Sequence, residues 1–455
     1  MVSAAQAYRA LAALCIGFFM ILMDQTIVAV ATPHIQQELH ASLSQVVWVT
    51  SIYLLFYVVP LLLSGRLGDR YGQRNVYRVG MVVFVGASIV CGLAPTIEVL
   101  IAARAVQGLG ASILTPQTMS VINRIFPKER RGTALGIWGA VAGLATLAGP
   151  MLGGIIVASL GWHWIFFINV PLGVLSLVLV SLWVPDLPRT TSRIHGGSVV
   201  LFLLGLSAVV FSLQQGFSLG WPWWLWLLLG VGLLCLVVFV WWQHRVSDPL
   251  MPLALFAQRN FALGAFSIAT VGLAVTAQML PIMVYLQQGR GLDPERAGLM
   301  MVPMALVSGV LSPLVGRATD KIAPRVLSVT GFSAFIAALV VLSVEMALGH
   351  TSWGFSAAVA LMGVGSALVW APNSATSMRE VPVNLMGAAS GVYNTTRQVG
   401  AVLGTALVGA VMQVSAAHYD VGVAMGLSLL VPAAALLLGL CAVSFFPGTA
   451  PQNRS

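Results

Sequence analysis

Long apolar runs alternate with short polar segments along the whole chain. Fourteen runs are long enough for membrane-spanning helices, which need about 20 mainly apolar residues. The predicted spans cover residues 10–32, 46–64, 76–94, 99–122, 133–158, 163–184, 198–216, 222–242, 260–287, 296–315, 326–347, 354–374, 387–412 and 422–446. The pattern predicts an all-α polytopic membrane protein, with no soluble domain between the spans.

The composition agrees with this prediction. Of 455 residues, 58% are hydrophobic and 8% are charged, whereas a soluble domain has about 25% charged residues. A net charge of +9 would suit nucleic acid if the bases formed one patch, but they lie in short loops between apolar runs. We therefore expect the lipid bilayer as a partner and no nucleic acid.

The bases are divided unequally between the two sides of the predicted membrane. With a cytoplasmic N-terminus, eighteen of the 22 lysines and arginines lie in cytoplasmic segments, and only Arg290 and Arg296 lie outside. Arg104 and Arg397 lie within spans. Because cytoplasmic loops carry the excess of bases, we expect both termini in the cytoplasm.

The chain contains an internal repeat. GRLGDRYGQR (65–74) and GRATDKIAPR (316–325) share a glycine, an aspartate and bases at an offset of 251 residues, and GTALGIWG (132–139) resembles GAASGVYN (387–394). Spans 1–6 therefore repeat as spans 9–14, with two helices inserted between them. The predicted units are a six-helix bundle (1–190), the inserted helices (191–258) and a second six-helix bundle (259–455). Such parallel repeats are typical of transporters.

Five stretches resemble motifs of the major facilitator superfamily. GRLGDRYGQR resembles its loop 2–3 motif, RAVQGLGAS (104–112) its span 4 motif, and GLATLAGPMLGG (143–154) the span 5 motif of its proton-coupled exporters. MDQTIVAVATP (23–33) and WHWIFFINVPLG (162–173) resemble the fourteen-span drug/proton antiporter group. The resemblance implies the major-facilitator fold and proton-coupled export, and it is much less specific for the substrate.

Asp24 is the one acidic residue deep within a predicted span. An ionised carboxylate at mid-membrane costs roughly 2.5–3.5 kcal/mol on insertion scales, so we expect a partner, and Arg104 lies at a similar depth in span 4. Burial favours a neutral carboxylate and a nearby cation favours the ionised form, so Asp24 can bind and release a proton. The alternatives are an ion pair that only locks two helices and, for Arg104, bonds to backbone carbonyls alone. The resemblance also implies proton coupling for both positions.

Span 5 carries glycines at helical spacing, which predicts a face that another helix can approach closely. They are Gly132, Gly136, Gly139 and Gly143, followed by Gly149, Pro150, Gly153 and Gly154. Pro150 permits a bend. We interpret this face as a seam that rocks during alternating access, which the resemblance to the antiporter motif favours; ordinary tight packing is the alternative.

The repeated polar motifs predict conformational gates at the cytoplasmic edge. The residues are Gly65, Asp69, Arg70 and Arg74 in the first repeat, and Gly316, Asp320, Lys321 and Arg325 in the second. We expect each aspartate and its neighbouring bases to clamp helix ends together in an outward-open state. A purely topogenic role for the bases would leave the repeated aspartates unexplained.

Aromatic and polar residues on the predicted cavity-lining spans are candidates for substrate binding. They are Tyr53, Tyr57, Gln107, Trp138, Gln278, Trp370, Tyr393, Asn394 and Arg397. Each aromatic residue could instead serve packing. Arg397 is equally compatible with an anionic substrate contact and with a helix-locking role.

Motifs for nucleotide binding, hydrolysis and metal ligation are missing from the sequence, so we expect no enzyme activity, no cofactor and no metal. The combined interpretation is a monomeric, fourteen-helix antiporter of a bacterial inner membrane, which exports small hydrophobic, cationic drugs or toxic compounds, and so confers antibiotic resistance, in exchange for protons. The alternative substrate is a metabolite or lipid with an anionic group. A scaffold or sensor without transport would need neither Asp24 nor Arg104.

Overall fold

The computed structural model describes residues 3–41, 43–127, 130–189, 195–292, 294–351 and 353–447, and these form helices and no β-strand. The helices are α1 (Ala4–Glu38), α2 (Leu43–Val58), α3 (Leu61–Tyr71), α4 (Gln73–Gly92), α5 (Ile97–Ile125), α6 (Arg131–Leu160), α7 (Trp164–Phe167), α8 (Asn169–Trp183), α9 (Gly196–Leu219), α10 (Trp223–Gln243), α11 (Ala254–Ala257), α12 (Arg259–Ala277), α13 (Met279–Val284), α14 (Pro294–Leu299), α15 (Val302–Thr319), α16 (Pro324–Ala347), α17 (Trp353–Ser377), α18 (Met386–Ala416) and α19 (Val421–Val443). A π-helix (Tyr285–Gly289) follows α13, and a 3₁₀-helix (Val383–Leu385) precedes α18.

The predicted count of fourteen spans is not confirmed. Among the described residues, twelve helices are long and apolar enough to cross a membrane, and the pair α2–α3, bent by 45°, would be a thirteenth. The predicted span 5 coincides with α6, a continuous helix of 30 residues in which the side chains of Thr146, Leu147 and Pro150 lie outside the described part. The predicted bend at Pro150 therefore stays a prediction.

Two segments predicted from the sequence to be loops are partly helical, which corrects that prediction. Residues 65–71 belong to α3, and only Gly72, with φ 90°, separates α3 from α4. Residues 316–319 belong to α15. Hydropathy marks where a chain leaves the apolar layer, whereas a helix continues until its backbone hydrogen bonds are interrupted.

The helices pack as two groups with an inserted pair. In the first group α1 contacts α6 and α8, and α4 contacts α5. In the second, α12 contacts α18 and α19, and α16 contacts α17 and α19. Helices α9 and α10 pack on each other, and α9 also touches α2 and α18. The predicted two-repeat fold is therefore confirmed, while the boundaries at residues 190 and 258 stay predictions.

The groups meet at two closely packed crossings at the end of the molecule that carries the loops around residues 72 and 320, here named the basic end. Helix α15 crosses α6 where a Cβ on Gly136 would lie 2.6 Å from the Cα of Gly316. Helix α3 crosses α18 where a Cβ on Gly65 would lie 3.0 Å from the Cα of Gly391. These glycines are the ones that recur in the internal repeat, so the repeated positions are the contact points between the halves.

The predicted glycine face of span 5 is directed towards the second half. Beyond Gly132 and Gly136, a Cβ on Gly139 would lie 3.8 Å from the Cβ of Trp370, and one on Gly143 would lie 3.6 Å from Ser308 Oγ. These are ordinary van der Waals distances. The seam is therefore tightest at the basic end and looser further along α6.

We expect Gly316→Ala to lower the thermal melting temperature by several degrees, because a methyl group at this crossing would overlap the backbone of α6. The measurement is a melting curve of the purified protein in detergent. Gly309→Ala on the same helix is the matched control, since no atom lies within 4 Å of a Cβ there, and its melting temperature should stay constant or rise. Equal melting of both variants with the unmodified protein would contradict the tight crossing.

Candidate functional site

A buried ion pair lies inside the first helix group. Arg104 Nη1 on α5 is 2.6 Å from Asp24 Oδ2 on α1, and both side chains are fully buried. Arg104 Nε also donates to the carbonyl of Val49 at 3.3 Å. The predicted pairing is therefore present, and a bond to a backbone carbonyl supplements it.

Amide side chains complete the coordination of the carboxylate. Asp24 Oδ1 accepts hydrogen bonds from Asn169 Nδ2 at 2.7 Å and from Gln107 Nε2 at 2.9 Å. Gln107 in turn accepts from Arg104 Nη1 at 2.6 Å and donates to Ser88 Oγ at 2.8 Å. This connected set is named the carboxylate cluster, and it joins α1, α4, α5 and α8. Buried charges of this kind are held only when their remaining hydrogen bonds are made.

Aromatic rings cover the guanidinium. The Arg104 guanidinium carbon lies 4.1 Å from the ring centre of Tyr53 and 5.8 Å from that of Phe166. Arg104 Nη2 is buried without an acceptor among the described atoms. The cluster thus holds one unused donor in a water-poor environment, where a charged hydrogen bond is strong.

The glycine-rich segment 143–154 of α6 reaches α1 beside the cluster. A Cβ on Gly149 would meet Thr26 and would lie 3.1 Å from the carbonyl oxygen of Met23, so α6 passes close to the turn that carries Asp24. Gly153 is buried, and no atom lies within 4 Å of a Cβ built on Gly154. The segment therefore contacts the α1 backbone at Gly149, and not at Gly154.

Two carboxylates connect the halves at the basic end. Asp69 of α3 accepts from the backbone nitrogens of Gly387 and Ala388 at 3.0 and 2.8 Å, at the start of α18. Asp320 accepts from those of Gly132 and Thr133 at 2.8 and 3.0 Å, at the start of α6. Each aspartate thus caps a helix N-terminus of the other half, where the helix dipole favours negative charge.

The bases predicted to accompany these aspartates do not do so as expected. Asp69 pairs instead with Arg124 of α5, Nη2 to Oδ1 2.6 Å. Arg70 is exposed and its guanidinium lies 5.3 Å from the Tyr71 ring centre, while Arg74 Nη1 donates to the Val184 carbonyl at 3.2 Å. Lys321 and Arg325 are also exposed. Neighbours in sequence diverge in direction at a helix end, so the partner of a buried carboxylate comes from another helix.

Most candidate substrate residues are engaged in packing or hydrogen bonds. Tyr57 Oη lies 3.2 Å from Thr115 Oγ1, and buried Trp138 stacks on Phe18 with ring centres 4.4 Å apart. Tyr393 donates to Asn373 Oδ1 at 2.8 Å, and Asn394 donates to the Ser390 carbonyl at 2.9 Å. Tyr53 and Gln107 belong to the surroundings of Asp24. Their role as substrate contacts stays a prediction.

Four of these candidates have a fully buried polar atom without a hydrogen-bond partner among the described residues: Tyr53 Oη, Trp138 Nε1, Gln278 Oε1 and Asn394 Oδ1. Arg397 is half-buried with an unpartnered Nε, and its guanidinium carbon lies 5.8 Å from the ring centre of Trp370. Arg397 also backs onto α12, since Gly272 contacts its main chain. It is therefore set in a close helix crossing while its charge is unpaired by any described carboxylate.

Known proteins share both the sequence pattern and the fold. The family described as Major Facilitator Superfamily matches residues 14–209 and again 188–405. An MFS-type transporter of Mycobacterium tuberculosis is 46% identical over 406 residues, which cover 89% of this chain and 70% of that protein. The chain belongs to the major facilitator superfamily.

Other relatives of this superfamily member carry more specific names. Multidrug resistance protein Stp of Mycobacterium tuberculosis is 34% identical over 87% of this chain and 74% of its own length. A methylenomycin A resistance protein of Streptomyces coelicolor is 32% identical over 97% of this chain and 93% of its own length. The solved proton:xylose symporter XylE, at 13% identity and a TM-score of 0.71, covers 96% of this chain and 95% of its own, which shows the fold alone.

Sequence reasoning missed three members of these sites. Asn169 and Ser88 lie in apolar runs, where a small polar residue is a weak signal, although Asn169 falls within the WHWIFFINVPLG stretch. Arg124 is one of the eighteen predicted cytoplasmic bases, and its sequence position gives no sign of its partner. In this superfamily member, an amide near the middle of a span is a possible partner for Asp24. A base at a helix end is a possible partner for Asp69.

We expect Asp24→Asn to be less stable than the double variant Asp24→Asn/Arg104→Gln. The single substitution leaves a buried guanidinium without its counter-ion, which typically costs about 3–5 kcal/mol, and the double substitution removes that charge. Thermal melting of both variants in detergent measures the order. A double variant as unstable as the single one would show that the ion pair does not set stability.

Proposed function

We propose that this protein is a proton-coupled antiporter that exports hydrophobic, cationic drugs or toxic compounds by alternating access. It belongs in the fourteen-span group, with α6 and the bent pair α2–α3 as the two further spans. It works as a monomer in a bacterial inner membrane, with both termini and the basic end in the cytoplasm. The excess of bases in the loops of that end supports this orientation.

The observation that carries the proposal is the fully buried Asp24–Arg104 pair. A carboxylate in this position is expensive, and such residues commonly lie on proton pathways. Protonation would remove the charge attraction to Arg104 and would turn one carboxylate oxygen from acceptor to donor. The bonds from Arg104, Gln107 and Asn169 to Asp24 would then rearrange. Occupancy by a proton is therefore coupled to α1, α5 and α8, and through Ser88 to α4.

The cycle follows from this coupling. With the basic end closed, Asp24 takes up a proton from outside, the cluster rearranges, and the halves separate at the basic end. Binding of a lipophilic cation then competes electrostatically with the proton, which leaves towards the cytoplasm, and the return step carries the compound outward. A ligand drives such a shift only through its different affinity for the two states.

The names of relatives support drugs as the substrate class. Relatives are named for multidrug resistance, for tetracenomycin C resistance and export, and for methylenomycin A resistance. These compounds are named for the relatives and not for this protein. The substrate class that the names share is a small molecule that is removed from the cell.

The transport test uses inverted vesicles with a proton gradient and a quenchable pH dye. Addition of ethidium should dequench the dye in vesicles of the unmodified protein, and Asp24→Asn should abolish the response because no proton can be exchanged at the site. Glu98→Gln, an exposed carboxylate of α5 bonded to Gln45, is the matched control and should retain the response. Proton-driven transport by Asp24→Asn would leave the ion pair with a purely structural role.

A second test concerns closure of the basic end. In a chain with its four native cysteines replaced by serine, Ser390→Cys reports access beside the α3–α18 crossing. Ser390 of α18 precedes Gly391, which lies at that crossing, and bonds the Pro116 carbonyl of α5 at 2.9 Å. Asp69→Asn should raise its alkylation rate about fivefold, because a charged helix cap contributes roughly 1 kcal/mol. Asp186→Asn, an exposed acid paired with Arg189, should leave the rate unchanged. An unchanged alkylation rate in Asp69→Asn would show that this carboxylate does not hold the basic end closed.

Export of a metabolite or lipid with an anionic group is a second candidate function, favoured by the unpaired charge of Arg397. Arg397→Gln should then abolish transport of lipophilic anions while ethidium transport continues. Equal loss of both transport activities would assign Arg397 a helix-locking role instead.

A further inference from the structure

A groove of about 700 Å³ lies on the second half at the basic end. Its walls are the start of α12, the start of α16 and the end of α19, and its lining includes Arg259, Asn260, Arg325, Glu380, Phe445 and Phe446. The volume falls in the range of small-molecule sites, roughly 300–1,000 Å³. The groove lies on α12, α16 and α19, apart from the carboxylate cluster and from both crossings.

Two guanidinium groups enter this groove without a carboxylate partner among the described residues. Arg259 and Arg325 are both exposed, and neither takes part in an ion pair. The one carboxylate in the lining, Glu380, accepts a hydrogen bond from Asn260 Nδ2 at 2.9 Å. The lining therefore carries one net positive charge, beside an apolar wall of Phe445 and Phe446.

In the first half, the base equivalent to Arg325 makes a hydrogen bond to a helix end. Arg325 corresponds to Arg74 at the repeat offset of 251 residues. Arg74 Nη1 donates to the carbonyl of Val184, just after the end of α8, whereas Arg325 makes no such bond among the described residues and borders the groove. One repeat thus satisfies its base with a helix end, and the other leaves the base available to a ligand.

Exposed apolar side chains lie on the helices that form the groove. Phe445 is 61% exposed, Leu438 of α19 is 59% exposed and Val326 of α16 is 55% exposed. The Arg259 guanidinium carbon lies 5.7 Å from the ring centre of Phe445. Bases and an aromatic ring at the end of an apolar helix face lie at the depth of lipid headgroups.

We propose that this groove binds an anionic phospholipid, with the headgroup phosphate between Arg259 and Arg325 and an acyl chain along the exposed face of α19. Charge complementarity and the exposed apolar residues of α16 and α19 support a lipid over a free anion. Under this proposal Arg325 binds a headgroup, and its gating role stays a prediction. A lipid in the groove would tie the ends of three helices together, and this binding does not depend on the transported substrate.

The test is a titration of phosphatidylglycerol into the detergent-solubilised full-length protein, with bound lipid counted by native mass spectrometry. Arg259→Gln should weaken binding about fivefold, which equals ~1 kcal/mol for one base near a headgroup. Glu380→Gln should strengthen binding, because it removes the carboxylate that repels phosphate. Arg78→Gln removes an exposed base of α4 that does not line the groove and should change nothing.

Four results would overturn the proposal. Equal weakening by Arg78→Gln would show general charge attraction and no specific groove. Binding of phosphatidylcholine as tight as that of phosphatidylglycerol would show that the negative charge of the lipid does not contribute to binding. Displacement of the lipid by glycerol phosphate at equal concentration would assign the groove to free phosphate compounds. If Arg259→Gln does not fold, unchanged binding by Glu380→Gln would still contradict the proposal.

Discussion

The ion pair between Asp24 and Arg104 is the interaction on which the first half depends. Removing two ions from water costs several kcal/mol for each, and the hydrocarbon of a lipid has no hydrogen-bonding groups that could replace the lost water. The carboxylate is therefore surrounded by amide donors from α5 and α8, and the guanidinium is covered by a ring from α2. In a bilayer, apolar helix faces give little preference for one neighbour over another. The polar cluster, more than the apolar surface, fixes which helices are neighbours.

Much of this architecture could be predicted from residue type and spacing. An acid and a base within two apolar spans at similar depth have few possible partners, so Asp24 and Arg104 could be paired from the sequence. The repeated glycines could be assigned to a helix crossing, since a missing side chain at helical spacing is useful only where backbones approach. The fold followed from the repeat itself.

The remaining contacts could not be predicted, because they depend on side-chain direction in three dimensions. Asn169 is an inconspicuous amide in an apolar run, and its position beside Asp24 follows from the crossing of α8 and α1. Arg124 is separated from Asp69 by 55 residues, so the adjacent Arg70 was the natural candidate from sequence. Hydropathy also gave no sign that α3 and α15 continue beyond the apolar layer. Among the described residues, length and hydropathy give twelve spans, or thirteen with the bent pair α2–α3, and the continuous helix α6 lies outside that count.

The carboxylate caps have a consequence for the symmetry of the chain. Asp69 caps the N-terminus of α18, and Asp320 caps the N-terminus of α6. Each half therefore supplies the carboxylate that accepts from a helix N-terminus of the other half. The glycines on both sides correspond in the same reciprocal way. This is the contact pattern of an isologous dimer, in which the same patch serves on both subunits. The two halves are joined covalently, but their interface has the self-complementarity of two identical chains related by a twofold axis.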